Sequence, residues 1–530
     1  MAPNVRTAHN PTKRPRQRFL LGGVAGLLAG AAAIAVSEAA SALLTGVTSP
    51  LLAVANRAVD AAPRPVKEWA IEAFGTADKP VLVGGVVATV AALALVAGIA
   101  GVTRPRVAVG LFLGLSGIAA LAALSDRAAT ASPGARLVPV TLLVVTGLAA
   151  LHLLLRPLRT ADLPDHVDGD DLPAAFDRRS FLRAATAVGV VGVAGGVTSR
   201  IYGGPEAALS RSAVTVPRPD VAAPALAEGM TLDVPGITPY LTSNRDFYRV
   251  DTALRVPDVP VDTWQLRVHG LVERELDLSF EDLLSRRLVE RRITLTCVSN
   301  PVGGEYVGNA TWIGVPIRDL LREAGVRDGA DAVKSTSADD MTIGTPLSAL
   351  LDDDRDALLA VAMNGEPLPL EHGFPVRMVT PGLYGYVSAT KWVVDLEVTR
   401  FADFDAYWTS RGYAEEAPIK TSSRIDVPRS FARVKAGRVP VAGVAWSQNR
   451  GIVAVEVRVD EGPWTEARLA DEDNVDTWRQ WVWEWEAQPG NHRLEVRATD
   501  SSGYTQTPER APIAPDGSTG WHSVNVTVEG

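Results

Sequence analysis

Ile293-Thr294-Leu295-Thr296-Cys297-Val298-Ser299-Asn300-Pro301-Val302-Gly303-Gly304 is a strand-like run that reaches a cysteine and then breaks into a turn. Cys297 is the only cysteine in 530 residues. A single thiol makes no intramolecular disulfide and builds no four-cysteine zinc or iron–sulfur site. Three roles remain open to it: a buried small hydrophobe, a nucleophile, or one thiolate ligand to a metal held mainly by something else.

Away from this stretch the chain changes character near residue 200. Charged residues make up 21% of it, yet the mean hydropathy is slightly positive at +0.09. That combination predicts a membrane part joined to a soluble part. Eleven of the twelve tryptophans follow residue 260, where charge is also dense. The length exceeds one hydrophobic core and predicts two or three folded units. A net charge of −9 gives no reason to expect nucleic-acid binding.

Four apolar stretches, 19–37, 80–102, 107–124 and 136–155, approach the roughly 20 residues that cross a bilayer. A weaker fifth covers 184–199. Soluble helices of this length rarely lack a polar face, which argues against a buried soluble bundle. Basic clusters at Lys13, Arg14, Arg16 and Arg18, at Arg104 and Arg106, at Arg156 and Arg159, and at Arg178, Arg179 and Arg183 fall on one side if there are five spans. That side is then cytoplasmic, with loops 46–79 and 125–135 and everything after residue 200 outside. Asp177-Arg178-Arg179-Ser180-Phe181-Leu182-Arg183 resembles a twin-arginine export signal. An ordinary basic flank is the alternative, and both place the C-terminal half outside. His152 is the only histidine in a span and no methionine lies in one, so no haem is expected there. Residues 1–200 read as an anchor or partner-docking platform.

Residues 201–235, rich in Pro, Ala and Val, read as a linker. From 236 to 420 short strand patterns alternate with short helices, for example Trp264–Val268 and the capped start Ser279–Leu284, which is an α+β pattern. From 430 to 530 alternating runs such as Val441–Trp446, Ile452–Val459 and Trp481–Trp485 predict a β-sandwich. Trp481, Trp483 and Trp485 share one side of their strand and read as sandwich core or an interface.

The Cys297 loop, Trp312-Ile313-Gly314-Val315-Pro316, His372-Gly373-Phe374-Pro375-Val376-Arg377, Pro381-Gly382-Leu383-Tyr384-Gly385-Tyr386 and Lys391-Trp392 resemble the sulfite oxidase family of molybdopterin enzymes. The resemblance covers about 236 to 528. It implies a sulfite-oxidase-type molybdopterin domain followed by an immunoglobulin-like, dimerisation-type sandwich, here preceded by an α-helical membrane domain. It also implies a molybdenum carried by a single molybdopterin, with Cys297 as thiolate ligand. Arg377 and Lys391 match residues that hold the anionic cofactor. Asn244, Tyr248 and Arg249 lie in a pterin-contacting segment, where the arginine also faces substrate. Asp339 and His372 match residues near the cofactor, Asn300 matches the asparagine of the cysteine loop, and Tyr413 matches an active-site tyrosine. One departure stands out: sulfite oxidases follow the cysteine with Ala-Gly-Asn-Arg-Arg, and here both arginines are absent.

The reading is a cell-membrane, multi-pass protein whose catalytic domain lies outside. It transfers an oxygen atom to or from a small substrate, with sulfite oxidation first in view. Reduction of an S-oxide or N-oxide at the same centre is the alternative, and a scaffold that has lost its metal is a third reading. Electrons pass to a separate cytochrome or quinone-linked membrane protein. Membrane lipid and a homodimer through the sandwich complete the expected contacts.

Overall fold

The computed structural model describes residues 13–530, apart from 45, 64–65, 67–68, 70–72, 75–77, 127–130, 160–177 and 203–205. It divides into two compact units: a helical one up to residue 204, which also takes in Ala253–Arg255, and a second made of residues 205–252 and 256–530.

The helical unit contains α1 (Lys13–Ala42), α2 (Pro50–Ala61), α3 (Asp78–Thr103), α4 (Pro105–Leu124), α5 (Pro133–Arg159) and α6 (Arg178–Tyr202). Five segments of these, Arg18–Ala42, Val81–Thr103, Pro105–Leu124, Pro133–Leu158 and Arg179–Ser199, are long and apolar enough to cross a membrane. They match the five expected stretches. Helix α1 packs against α3, α5 and α6. Its approach to α3 depends on small residues. A Cβ on Gly26 would lie 2.0 Å from the Ala94 carbonyl oxygen, and one on Gly98 would lie 2.1 Å from that of Gly22. Backbones this close are how helices gain contact in lipid, where the hydrophobic effect does not drive them together.

In the second unit, the stretch expected as a linker carries a helix, α7 (Glu206–Ala213). Asp258 accepts its first two free N–H groups, from Glu206 at 2.9 Å and Ala207 at 2.6 Å. Arg211 donates to the Pro367 and Leu368 carbonyls and pairs with Glu366 at 2.9 Å. The Pro- and Ala-rich composition hid a helix that is capped and gripped by distant residues.

The α+β part holds two sheets. One has the order β2 (Leu276–Ser279), β1 (Gln265–Gly270), β10 (Val393–Thr399), β5 (Ala332–Ser337), β6 (Thr342–Pro346), with β1 and β10 parallel and the other neighbours antiparallel. The other runs β3 (Val289–Thr296), β4 (Val307–Pro316), β7 (Leu358–Met363), β8 (Glu366–Pro367), with β9 (Arg377–Val379) also on β7. A core of Trp264, Leu266, Val268, Leu320, Leu359 and Leu396 joins both sheets to their helices. Trp312, Ala310, Ile293 and Phe374 form a second core on the far side of β4. The second sheet is thus covered on both faces: β3 is buried from Ile293 to Thr296, and β4 is buried at every position but Thr311.

The C-terminal part is two facing sheets. One is β11 (Ser422–Val427), β13 (Gly437–Trp446), β17 (Arg479–Ala487) and β16 (Arg468–Leu469). The other is β12 (Ala432–Lys435), β19 (His522–Glu529), β18 (Gly490–Asp500), β14 (Ile452–Val459) and β15 (Thr465–Glu466). Trp481 and Trp485 from the first meet Val455, Leu494 and Val526 from the second, with Trp483 packed against them. The sandwich begins at Ser422, eight residues before the expected 430. Its first strand carries Arg424 and Asp426, paired to each other at 2.7 Å.

The sandwich and β3 are tied by buried polar groups. Arg292 forms a bidentate pair with Asp473, with NH2 2.8 Å from Oδ1, and the two side chains are 6% and 2% exposed. Tyr240 donates to the same carboxylate at 2.8 Å. Removing one member of a buried pair strands the other charge. Asp473→Ala is therefore expected to destabilise the detergent-solubilised chain by about 3–5 kcal/mol, read as a drop in its thermal unfolding midpoint.

Candidate active site

Strand β3 ends at the cavity. Its Thr294 donates to Asn309 Oδ1 on β4 at 3.1 Å and accepts the Trp478 N–H from the sandwich at 2.8 Å. Gln448 donates to the Thr294 carbonyl at 2.9 Å. Cys297 then donates its N–H to Tyr306 at 2.9 Å, and Asn300 closes the turn onto the Cys297 carbonyl at 3.0 Å. The thiol is 7% exposed and Sγ accepts the Ser299 N–H at 3.4 Å. Burial pushes it above the usual thiol range, and the Ser299 N–H opposes this.

Cys297 opens onto a cavity of about 860 Å³, its mouth included. The structure brings Tyr248, Asp339, Arg377, Lys391 and Tyr413 to the same cavity. Arg377 leads β9, 4% exposed, with its guanidinium 5.1 Å from the Trp312 ring centroid. It donates to the His372 carbonyl at 3.1 Å, and no carboxylate among the described residues pairs with it. Burial holds it down at about 10. Lys391 donates to Asp251 at 3.0 Å and to the Glu371 carbonyl at 2.9 Å. Burial lowers it to about 8, against the opposing pull of Asp251. Gly373 lets these two cations converge: its φ is +110°, and a Cβ there would sit 3.0 Å from Arg377 Cβ and 3.2 Å from Lys391 Cα. A β-carbon would be strained at this φ and crowded as well.

Asp339, in the turn after β5, has one carboxyl oxygen buried without a partner. Burial raises its carboxyl, and the charge of Asp251 adds to this. Tyr413 is 8% exposed, with its ring 5.4 Å from those of Tyr386 and Trp408.

Four expected residues stand elsewhere. Asn244 donates to Glu366 at 2.6 Å and to the Met363 carbonyl at 3.2 Å. His372 is 2% exposed, faces the Asn244 carbonyl through Nε2 at 2.9 Å, and meets Phe247 edge-on. These two shape the wall behind the cavity. Asn300 accepts the Tyr306 N–H at 2.9 Å and lines a separate small pocket with Tyr384 and Ser518. Arg249, with 39% of its side chain exposed, is held by Asp251 at 2.9 Å. The sequence reading missed Asp251, Ser299 and Trp408, all of which line the cavity. The carboxylate two positions after Arg249 was the available signal for Asp251.

A sequence profile of the oxidoreductase molybdopterin-binding domain matches residues 253–408. The chain is 31% identical over 344 residues to mouse mitochondrial sulfite oxidase, covering 54% of this chain and 62% of that one. It is 37% identical over 164 residues to the uncharacterized oxidoreductase YuiH of Bacillus subtilis, covering 30% of this chain and 79% of that one. Against chicken sulfite oxidase it is 32% identical over 324 residues, covering 52% of this chain and 70% of that one. The chain belongs to the sulfite oxidase family. It spans about three fifths of the mouse relative's length.

The sulfite oxidase family implies a molybdenum–molybdopterin cofactor, and the cavity fits one. Its floor offers a lone thiol, an arginine cation with no carboxylate partner, and a carboxyl oxygen awaiting a donor. A phosphate suits the cations, a soft thiolate suits the metal, and an N–H edge suits the carboxyl.

Burial also holds His372 and His522 at about 4, below the ordinary 6.5. As pH falls from 6.5 to 4, the unfolded chain takes up protons that the folded chain refuses, so stability falls with it. His372→Gln keeps an N–H donor and removes one titration. A shallower loss of the thermal midpoint between pH 6.5 and 4 is expected, with no change in slope above pH 7.

Proposed function

We propose that this protein is a membrane-anchored molybdenum oxidoreductase that moves an oxygen atom to or from a small substrate on the outer side of the cell membrane. One observation carries the reading: the chain's only thiol shares a cavity with two buried cations, one of which has no carboxylate partner. A buried cation is costly unless something pairs with it, and an anionic cofactor is that partner. When bound, molybdenum–molybdopterin supplies two-electron oxygen-atom transfer.

The chain's own part is to bind and orient. Cys297 is the metal ligand and its burial keeps competing thiols and water away. Arg377 and the remaining ammonium proton of Lys391 hold the phosphate, and Asp339 accepts from the pterin edge. Tyr413 donates a hydrogen bond at the reacting oxygen. Asn244 and His372 stiffen the wall that carries Arg377, and Asn300 fixes the Cys297 turn. The names of the curated relatives make sulfite the first substrate to test. Electrons pass to a separate cytochrome or quinone-linked membrane protein. The basic flanks of the five apolar helices support a reading with the N-terminus inside and the catalytic unit outside. The family likeness supports reading the sandwich as an immunoglobulin-like domain through which two copies pair.

A second reading has a specific observation behind it. The Cys297 loop brings no arginine, and Arg249 is already bound by Asp251. Both reduce the attraction for an oxyanion and favour reduction of an S-oxide or N-oxide.

Metal and pterin analysis of the detergent-purified protein tests the centre itself. About one molybdenum per chain is expected for the wild type. Cys297→Ser is expected to change the metal's optical and spin-resonance signature and to cost more than about 100-fold in turnover, beyond the usual effect of changing a residue that only hydrogen-bonds to a ligand. No molybdenum in protein from a molybdenum-replete host would leave the scaffold reading. Protease added to intact spheroplasts is expected to cut the C-terminal unit free, and full protection of that unit would reverse the orientation.

A further inference from the structure

Asp251 holds no part of the cofactor in the scheme above, yet it is among the least accessible charged groups of the cavity, with 4% of its side chain exposed. One oxygen, Oδ2, accepts from Arg249 Nε at 2.9 Å and from Lys391 Nζ at 3.0 Å. Carboxylates and cations balance along the cavity lining, with Asp251 and Asp339 set against Arg377 and Lys391. Arg249 adds one cation beside it, and Asp251 holds that cation together with Lys391. The remaining wall near Asp251 is uncharged: Val250, Thr252, Val298, Ser299, Met341 and Trp408.

The inference rests on the cofactor reading. A bound pterin phosphate uses Arg377 and the spare Lys391 proton. The cation left is Arg249, which sits beside the lining through Asp251, and its charge is already met. A divalent oxyanion entering this space would lose its water without gaining an unmatched cation, which is unfavourable. A neutral oxide has no such charge to satisfy and finds apolar walls for its substituents.

We propose that Asp251 is the specificity-determining residue of the cavity: by occupying Arg249 it selects a neutral S-oxide or N-oxide over a divalent oxyanion. Asp251 acts through Arg249 and is a positioning residue. Neutralising it releases one cation toward the substrate space and makes the site anion-binding.

The test uses the full-length, detergent-solubilised protein, with molybdenum and pterin quantified in every preparation. Sulfate is the probe, its affinity measured by calorimetry and by competition against dimethyl sulfoxide turnover. Wild type is expected to bind sulfate weakly, and Asp251→Asn about tenfold more tightly, a change of about 1.4 kcal/mol. The double variant Asp251→Asn/Arg249→Gln is expected to return to the wild-type value. Unchanged sulfate affinity in molybdenum-loaded Asp251→Asn overturns the proposal, as does a gain that survives the loss of Arg249. Should Asp251→Asn fail to accumulate, the wild type decides: sulfate competition below about 1 mM overturns the proposal and weaker competition supports it. Absence of molybdenum from the wild type sinks the cofactor reading instead, and metal analysis separates that failure from this one.

Discussion

Thr294 donates to Asn309 on one side and accepts from Trp478 on the other, while its carbonyl takes the Gln448 amide. The strand ending at Cys297 is therefore held at once by its neighbour in the sheet and by the sandwich. Each bond is buried, and a lost partner would leave a desolvated group behind. The direction of the thiol follows from this attachment. So does the path of the turn after it, where Ser518 of the sandwich donates to the Asn300 carbonyl at 2.8 Å. The C-terminal sheets are thus part of the site's support, although none of their strands lines the cavity.

Electrostatics inside the cavity follow from how few anions are allowed in. Arg377 lies over Trp312 and is bound by backbone carbonyls alone. Lys391 and Arg249 share one carboxylate oxygen. Burial lowers both Arg377 and Lys391, so each cation is held at a cost that an anionic ligand removes. Binding to the folded chain alone shifts the folding equilibrium by mass action. Cofactor retention and stability are thereby one property of this unit.

The main layout was legible in the sequence because its signals are local. Five apolar runs gave five helices, and alternating runs gave the strands of the sandwich. Tyr248, Cys297, Asp339, Arg377, Lys391 and Tyr413, singled out by the family resemblance, line one cavity. Asn244, His372 and Asn300 carried matching motifs, but their side chains are spent on backbone and neighbouring groups. Which cations a carboxylate will hold is decided by tertiary approach, here of Lys391 from 140 residues away, and Asp251 escaped for that reason. The α7 helix escaped likewise, since its cap at Asp258 lies about fifty residues away in sequence.

The solitary cysteine has an experimental consequence. With one thiol in the chain, any thiol reagent reports on one place only. In the chain before any cofactor binds, Cys297 is buried and its thiol is pushed toward the protonated form, so the closed molecule should react slowly. The labelling rate then counts how often the cavity opens. The chain contains its own clock for motion at the site, with no mutation needed to install it.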